Sequence, residues 1–165
     1  MLHRLLLVSI ALAATAPAAA QSAVAVEGIA GYAAFVDDSP IEHFIAGAAA
    51  RFQMAPRHGV GPEVVYMRGP GLDRDWFVTL NYTYDFFPQG ESHPHRRVNP
   101  FVVAGGGFSR HHDQYLVDFS SGEFAVTGGG GARIWLTDRV YALGEFRMGW
   151  ELHTRVHGGI GMRWQ

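Results

Sequence analysis

The chain of 165 residues contains no cysteine, so no disulfide can hold it, and its backbone hydrogen bonding must close on itself. Lysine is missing too: all 13 basic residues are arginine. Guanidinium is more weakly hydrated than ammonium and meets carboxylates two-pronged, which suits it to buried ion pairs. Beyond Gln21, charged residues, Gly or Pro interrupt every apolar stretch well short of the ~20 residues a membrane helix needs. If the chain crosses a membrane, strands must carry it. Nor is there an excess of positive charge, and a net charge of -2 argues against a nucleic-acid partner.

What is present begins with a short basic start (His3, Arg4), an apolar run from Leu5 to Ala14, and a small-residue tail reaching Ala20. These are the three parts of a secretory signal with its cleavage site. The apolar run is too short to anchor across about 30 Å of hydrocarbon. Residues 1–20 are therefore expected to be a signal peptide for the general secretory route, and residues 21–165 a single β-barrel domain.

From Val24 onward the hydrophobic period is two, not 3.6. In Trp76 to Phe87, the even positions Trp76, Val78, Leu80, Tyr82, Tyr84 and Phe86 are apolar or aromatic, while Thr79, Asn81, Thr83 and Asp85 alternate with them. Turn signals divide the chain into eight expected strands: Val24 to Phe35, His43 to Met54, Val60 to Arg68, Asp75 to Phe87, Val98 to Arg110, Glu123 to Leu136, Arg139 to Glu151 and Thr154 to Trp164. The third carries Pro62, which removes a ladder donor. The fifth sets Val102 and Phe108 against Phe101 and Val103, which leaves its facing open. Glycines inside the strands (Gly105 to Gly107, Gly128 to Gly131, Gly158, Gly159, Gly161) fit a narrow, strongly curved sheet whose interior must receive bulky side chains. Gly128 to Gly131 is not read as a phosphate cradle, because neither Lys-Ser/Thr nor a helix follows it.

Which face carries charge decides between a soluble and a membrane barrel. Glu27, Arg51, Glu63, Asp85, Arg133, Glu145, Arg147, Arg155 and Arg163 share one set of alternate positions, and the opposite set is almost purely apolar. A narrow lumen could hold such mixed charges as mutually satisfied pairs. Trp76, Tyr84, Phe86, Trp150 and Trp164 fall on the apolar set near strand ends, as aromatic girdles at two lipid headgroup levels require. Trp76 and Phe86 would stand roughly 25 Å apart along the membrane normal. The expected fold is an all-β, closed, antiparallel, eight-stranded transmembrane barrel of up-and-down topology.

Over essentially the whole of residues 21–165 the chain resembles the small outer-membrane barrels of the OmpA/OmpX type. The resemblance is carried by the Leu136-Thr137-Asp138-Arg139-Val140 turn, by Asn99-Pro100-Phe101 opening a Gly-rich strand, and by the C-terminal alternation ending at Trp164. It implies outer-membrane lipid as the surroundings and both barrel ends in the periplasm. Connections near Asp38, Gly71, Tyr115 and Leu152 would then face outside, and those near Pro56, His93 and Asp138 the periplasm. The family's terminal aromatic is read by the barrel-insertion machinery, the expected partner during assembly. Here Gln165 follows Trp164, which shifts that signal by one residue.

The function expected is a structural or interaction protein of the outer membrane, not an enzyme, its lumen plugged by paired Arg and Asp/Glu side chains. Eight strands leave an interior just wide enough for side chains, which argues against a pore. A lipid A-modifying hydrolase or acyltransferase is the enzymatic alternative, with Ser109, Ser120, Ser121, His111, His112 and Glu123 as candidate residues, but no His-x-Ser-Asn element occurs. A soluble periplasmic ligand-binding barrel would need the charged face outside. No metal or cofactor is expected: His153 and His157 would share a face about 13 Å apart, while His93/His95 and His111/His112 are read as loop residues at opposite ends.

Overall fold

The computed structural model describes residues 23–35, 41–71, 73–88, 96–113, 119–149 and 153–164. Eight strands follow one another: β1 (Val24–Phe35), β2 (Ile41–Ala55), β3 (His58–Arg68), β4 (Arg74–Asp85), β5 (Val98–Asp113), β6 (Phe119–Trp135), β7 (Val140–Gly149) and β8 (His153–Trp164). Each pairs antiparallel with the next, and β8 pairs with β1, closing the barrel. Closure leaves no edge of unpaired amides, the condition a sheet must meet to cross hydrocarbon.

The register fixes the shape. A path from Val24 to its partner Phe52, then Val60, Tyr82, Ala104, Gly128, Met148 and Thr154, returns to β1 at Ala34, ten residues from its start. With strands ~4.8 Å apart and a rise of ~3.3 Å per residue, that stagger tilts them about 40° from the barrel axis.

Among the described side chains one parity holds in every strand: odd-numbered ones point into the lumen and even-numbered ones outward. Ala25, Glu27 and Ile29 are buried on β1, as are Asn81, Thr83 and Asp85 on β4 and Glu145 and Arg147 on β7. Leu80 is 60% exposed, Ile160 62% and Phe124 62%, all outward. β5, ambiguous in the sequence, turns Phe101 and Val103 inward and Val102 and Phe108 outward. Pro62 points outward on β3, and the β2–β3 pairing lapses beside it, between Ala49↔Glu63 and Phe52↔Val60.

Several expected bounds are corrected. β2 begins at Ile41, not His43, and β3 at His58, not Val60. The larger correction is at β5 and β6, which form a hairpin paired from Val98↔Ile134 to Asp113↔Phe119. The polar run His111-His112-Asp113, expected in a loop, instead extends the backbone ladder beyond Arg110. The expected signal peptide, His93, His95, Trp150 and the reversal near Leu152 lie outside the described residues.

Gly129 and Gly131 lie at mid-strand in β6, paired with Arg147 and Glu145. A Cβ on Gly129 would run into the Phe146 carbonyl and Arg147 Cα, and one on Gly131 into the Gly144 carbonyl and Glu145 Cα. Glycine is needed there because the β7 backbone from residue 144 to 147 lies hard against β6.

Candidate functional site: the charged lumen and the apolar wall

The lumen is built in layers. Toward the end holding the β3–β4 turn lie Ile45, Val65, Met67 and Phe77, all buried. Deeper in, eight of the nine charged residues singled out from the sequence form one continuous chain. Arg133 bonds Asp85 and stands 3.5 Å from Glu27 Oε1. Arg51 Nε donates to Glu27 Oε2 at 2.7 Å, and its Nη2 is 3.7 Å from Glu145 Oε2. Arg147 Nε donates to Glu145 Oε1, its Nη2 to Glu63 Oε2 at 2.8 Å, and its Nη1 to Asn81 Oδ1 at 2.9 Å. Arg155 Nη2 donates to Glu63 Oε1.

The chain therefore runs Asp85, Arg133, Glu27, Arg51, Glu145, Arg147, Glu63, Arg155, alternating in sign with four residues of each charge. Arg147 is 0% and Arg155 1% exposed. A single buried charge would cost several kcal/mol, and alternation offsets that penalty at each link. The ninth residue, Arg163, places its guanidinium 5.1 Å over the centre of the Trp135 ring, toward the end of the barrel where β1 begins and β8 finishes.

Neutral groups that the sequence reading passed over complete the lumen. Tyr141 Oη donates to Glu27 Oε1 at 2.7 Å, and Arg133 lies 4.1 Å over the Phe101 ring. The signal for both was available: odd numbers place them on the charged face.

The outer wall is the complementary surface. Val78, Leu80, Val126, Phe146, Val156 and Ile160 form an exposed apolar belt. Aromatic groups bound it: Tyr66 stacks with Trp76 at 4.9 Å near the β3–β4 turn, and at the opposite end Tyr84 meets Phe86 at 5.8 Å while accepting a hydrogen bond from Arg57 at 3.2 Å. Trp76, Phe86 and Trp164 are exposed, and Tyr84 is half-buried. Charge inside and hydrocarbon outside is the reverse of what a soluble ligand-binding barrel needs.

At the mouth beside the β3–β4 turn the structure gathers a group that the sequence reading did not assemble. His43 Nε2 on β2 is 2.8 Å from Asp73 Oδ2 and 3.5 Å from Asp75 Oδ2. His111 Nδ1 on β5 is 2.5 Å from Asp75 Oδ1 and 3.6 Å from Asp73 Oδ1. His111 is thus a strand residue aimed into the barrel, not the loop histidine expected. His153 and His157 both face inward on β8, as their spacing requires.

The fold and the sidedness together are those of the small eight-stranded outer-membrane barrels, as the OmpA/OmpX-type resemblance implied. No family model matches the chain, and no curated protein matches its sequence. Solved structures supply the relationship. The N-terminal β-barrel domain of Pseudomonas aeruginosa OprF superposes with a TM-score of 0.69 at 12% identity, covering 87% of this chain and 100% of that one. Neisserial surface protein A gives 0.68 at 11% identity, covering 87% and 97%, and OprG of Pseudomonas aeruginosa 0.58 at 12%, covering 87% and 96%. At such identities the likeness is one of fold.

Proposed function

We propose that this chain spans the outer membrane as a closed, non-conducting barrel and acts there as an envelope-structural or interaction protein without catalytic activity. The observation that carries the reading is the charge-balanced chain from Asp85 to Arg155, which occupies the lumen of a barrel whose outside is a belt of hydrocarbon. Eight strands leave room for side chains and little else. Here those side chains tie opposite walls together. Delivery by the secretory route and insertion by the barrel-assembly machinery belong to the same proposal. The wall of Val78, Leu80 and Ile160 would contact lipid directly, and the girdle residues Trp76, Tyr84, Phe86, Trp150 and Trp164 would sit at the headgroup levels.

Two measurements test it together. The mature chain, refolded from denaturant into detergent, should migrate differently on a gel before and after boiling, and should leave a planar bilayer electrically silent. Steady ion conductance would overturn the closed lumen. A change in the lipid A mass profile when the protein is expressed would overturn the non-enzymatic reading.

A further inference from the structure

We infer that His43, Asp73 and Asp75 form a binding site for a divalent first-row transition metal ion at the mouth of the barrel opposite the chain ends, with His111 as the positioning residue of the two carboxylates. The three side chains each offer one donor atom, and these atoms lie within 4.8 Å of one another. In a tetrahedral site with bonds of 2.0 to 2.1 Å, ligand atoms stand about 3.4 Å apart. His43 Nε2 stands 3.5 Å from Asp75 Oδ2, close to that value, while its 2.8 Å approach to Asp73 Oδ2 is a hydrogen bond that an ion between the two would replace. Mixed imidazole and carboxylate donors suit zinc, iron, nickel or manganese better than calcium, which takes oxygen ligands only.

Four successive strands bring the group together. His43 lies near the start of β2, Asp73 and Asp75 flank the start of β4, and His111 is the cross-strand partner of Asp75 on β5. His43, Asp75 and His111 are odd-numbered strand residues, so parity turns them to the lumen side at this mouth, and Asp73 precedes the first residue of β4. The connection from β3 contributes shape: Gly69 N donates to the Asp73 carbonyl at 3.1 Å, and Gly71 takes a positive φ of 70° to turn the chain. A Cβ on Gly69 would lie 2.6 Å from both Asp73 Oδ2 and His43 Nε2, so only glycine leaves the donors their places.

The electrostatics call for a cation. Asp73 and Asp75 hold their carboxylates close together above the apolar layer of Ile45, Met67 and Phe77, where low polarity sharpens repulsion between like charges. Asp73 Oδ1 is buried and has no hydrogen-bond partner. His111 Nδ1 stands 3.6 Å from it, beyond hydrogen-bond distance; an acceptor left in that condition costs about 1–3 kcal/mol, which an ion taken up by this oxygen would offset. His111, contacting both carboxylates from the side away from His43, does for them what outer-shell partners do for ligating groups generally. The ion's fourth position would open toward the mouth, to water or an external ligand.

The test uses the full mature chain refolded in detergent, stripped of metal, and titrated with zinc chloride by calorimetry. A variant lacking His93 and His95 serves as parent, so that those histidines add no background. The parent should bind one zinc per chain at micromolar concentration or below. His43→Ala, Asp73→Asn and Asp75→Asn should each weaken binding at least tenfold, and His111→Ala should weaken it about 10- to 100-fold. Zinc should also raise the unfolding temperature of the parent and not that of Asp73→Asn, a readout that reports folding of each variant at the same time. Sub-stoichiometric binding by the parent, or zinc affinity unchanged in folded His43→Ala and Asp73→Asn, would overturn the site. Neither result depends on whether the barrel conducts ions.

Discussion

Arg147 on β7 and Glu63 on β3 meet at 2.8 Å from opposite walls of the barrel, joining strands separated by 84 residues of sequence. Such a link spans the lumen, where no backbone runs. Its weakness is that neither partner can lose the other cheaply.

Arg147→Ala should therefore be among the most damaging single changes in the molecule. It removes one of the two guanidiniums that bond Glu63 and the one that bonds Glu145, leaving Arg155 on the first and Arg51 3.7 Å from the second, and breaking a buried pair from one side costs about 3–5 kcal/mol. Urea unfolding in lipid vesicles should show a loss of that size. A loss under about 1 kcal/mol would mean that water reaches the lumen and screens the remaining carboxylates.

Tyr141→Phe isolates one hydrogen bond. The phenol donates to the Glu27 carboxylate at 2.7 Å, and a bond to a charged group is worth about 1.5–3 kcal/mol. The ring remains to fill the same space. Equal stability of Tyr141→Phe and the parent in the same unfolding assay would show that Glu27 is already satisfied by Arg51 and Arg133.

Outward positions should follow depth in the membrane. Leu80 lies at the middle of β4 and Phe86 just beyond its end, both exposed. Leu80→Arg should cost ~2–4 kcal/mol and Phe86→Arg about 0–1 kcal/mol. Equal penalties at the two sites, measured in the same vesicles, would contradict a hydrocarbon belt centred on Leu80.

Glycine substitutions should divide by face. Gly131→Val drives a side chain into the β7 backbone at Gly144 and Glu145, whereas a Cβ on outward-facing Gly144 meets nothing within 4 Å. Refolding yield, scored as the fraction with heat-dependent gel migration, should collapse for Gly131→Val and hold for Gly144→Ala. Comparable yields would mean that β6 and β7 are further apart than the register implies.

The barrel was legible where the two faces differ in chemistry. On β4, Thr79, Asn81, Thr83 and Asp85 alternate with Val78, Leu80, Tyr82 and Tyr84, so parity alone gives the sidedness. On β5 the signal vanished because Phe101 and Val103 face the lumen. A charged interior also needs apolar surfaces, and Arg133 lies flat on Phe101. The charged residues themselves were readable because a carboxylate or guanidinium at mid-strand has nowhere else to go. Their order of contact was not, since Arg155 reaches Glu63 only through the stagger of the closed sheet. The group at the mouth was hidden for a related reason. Its members span residues 43 to 111, and His111 sits in a polar run that has the composition of a loop.

The balance of charge along the lumen has an electrical consequence. A potential difference across a membrane does work only on net charge that moves, about 2.3 kcal/mol per elementary charge per 100 mV. From Asp85 to Arg155, positive and negative groups cancel one for one, so a voltage of either polarity finds no handle by which to drag the assembly toward one side. A stopper made of arginine alone would be a gate waiting for a field.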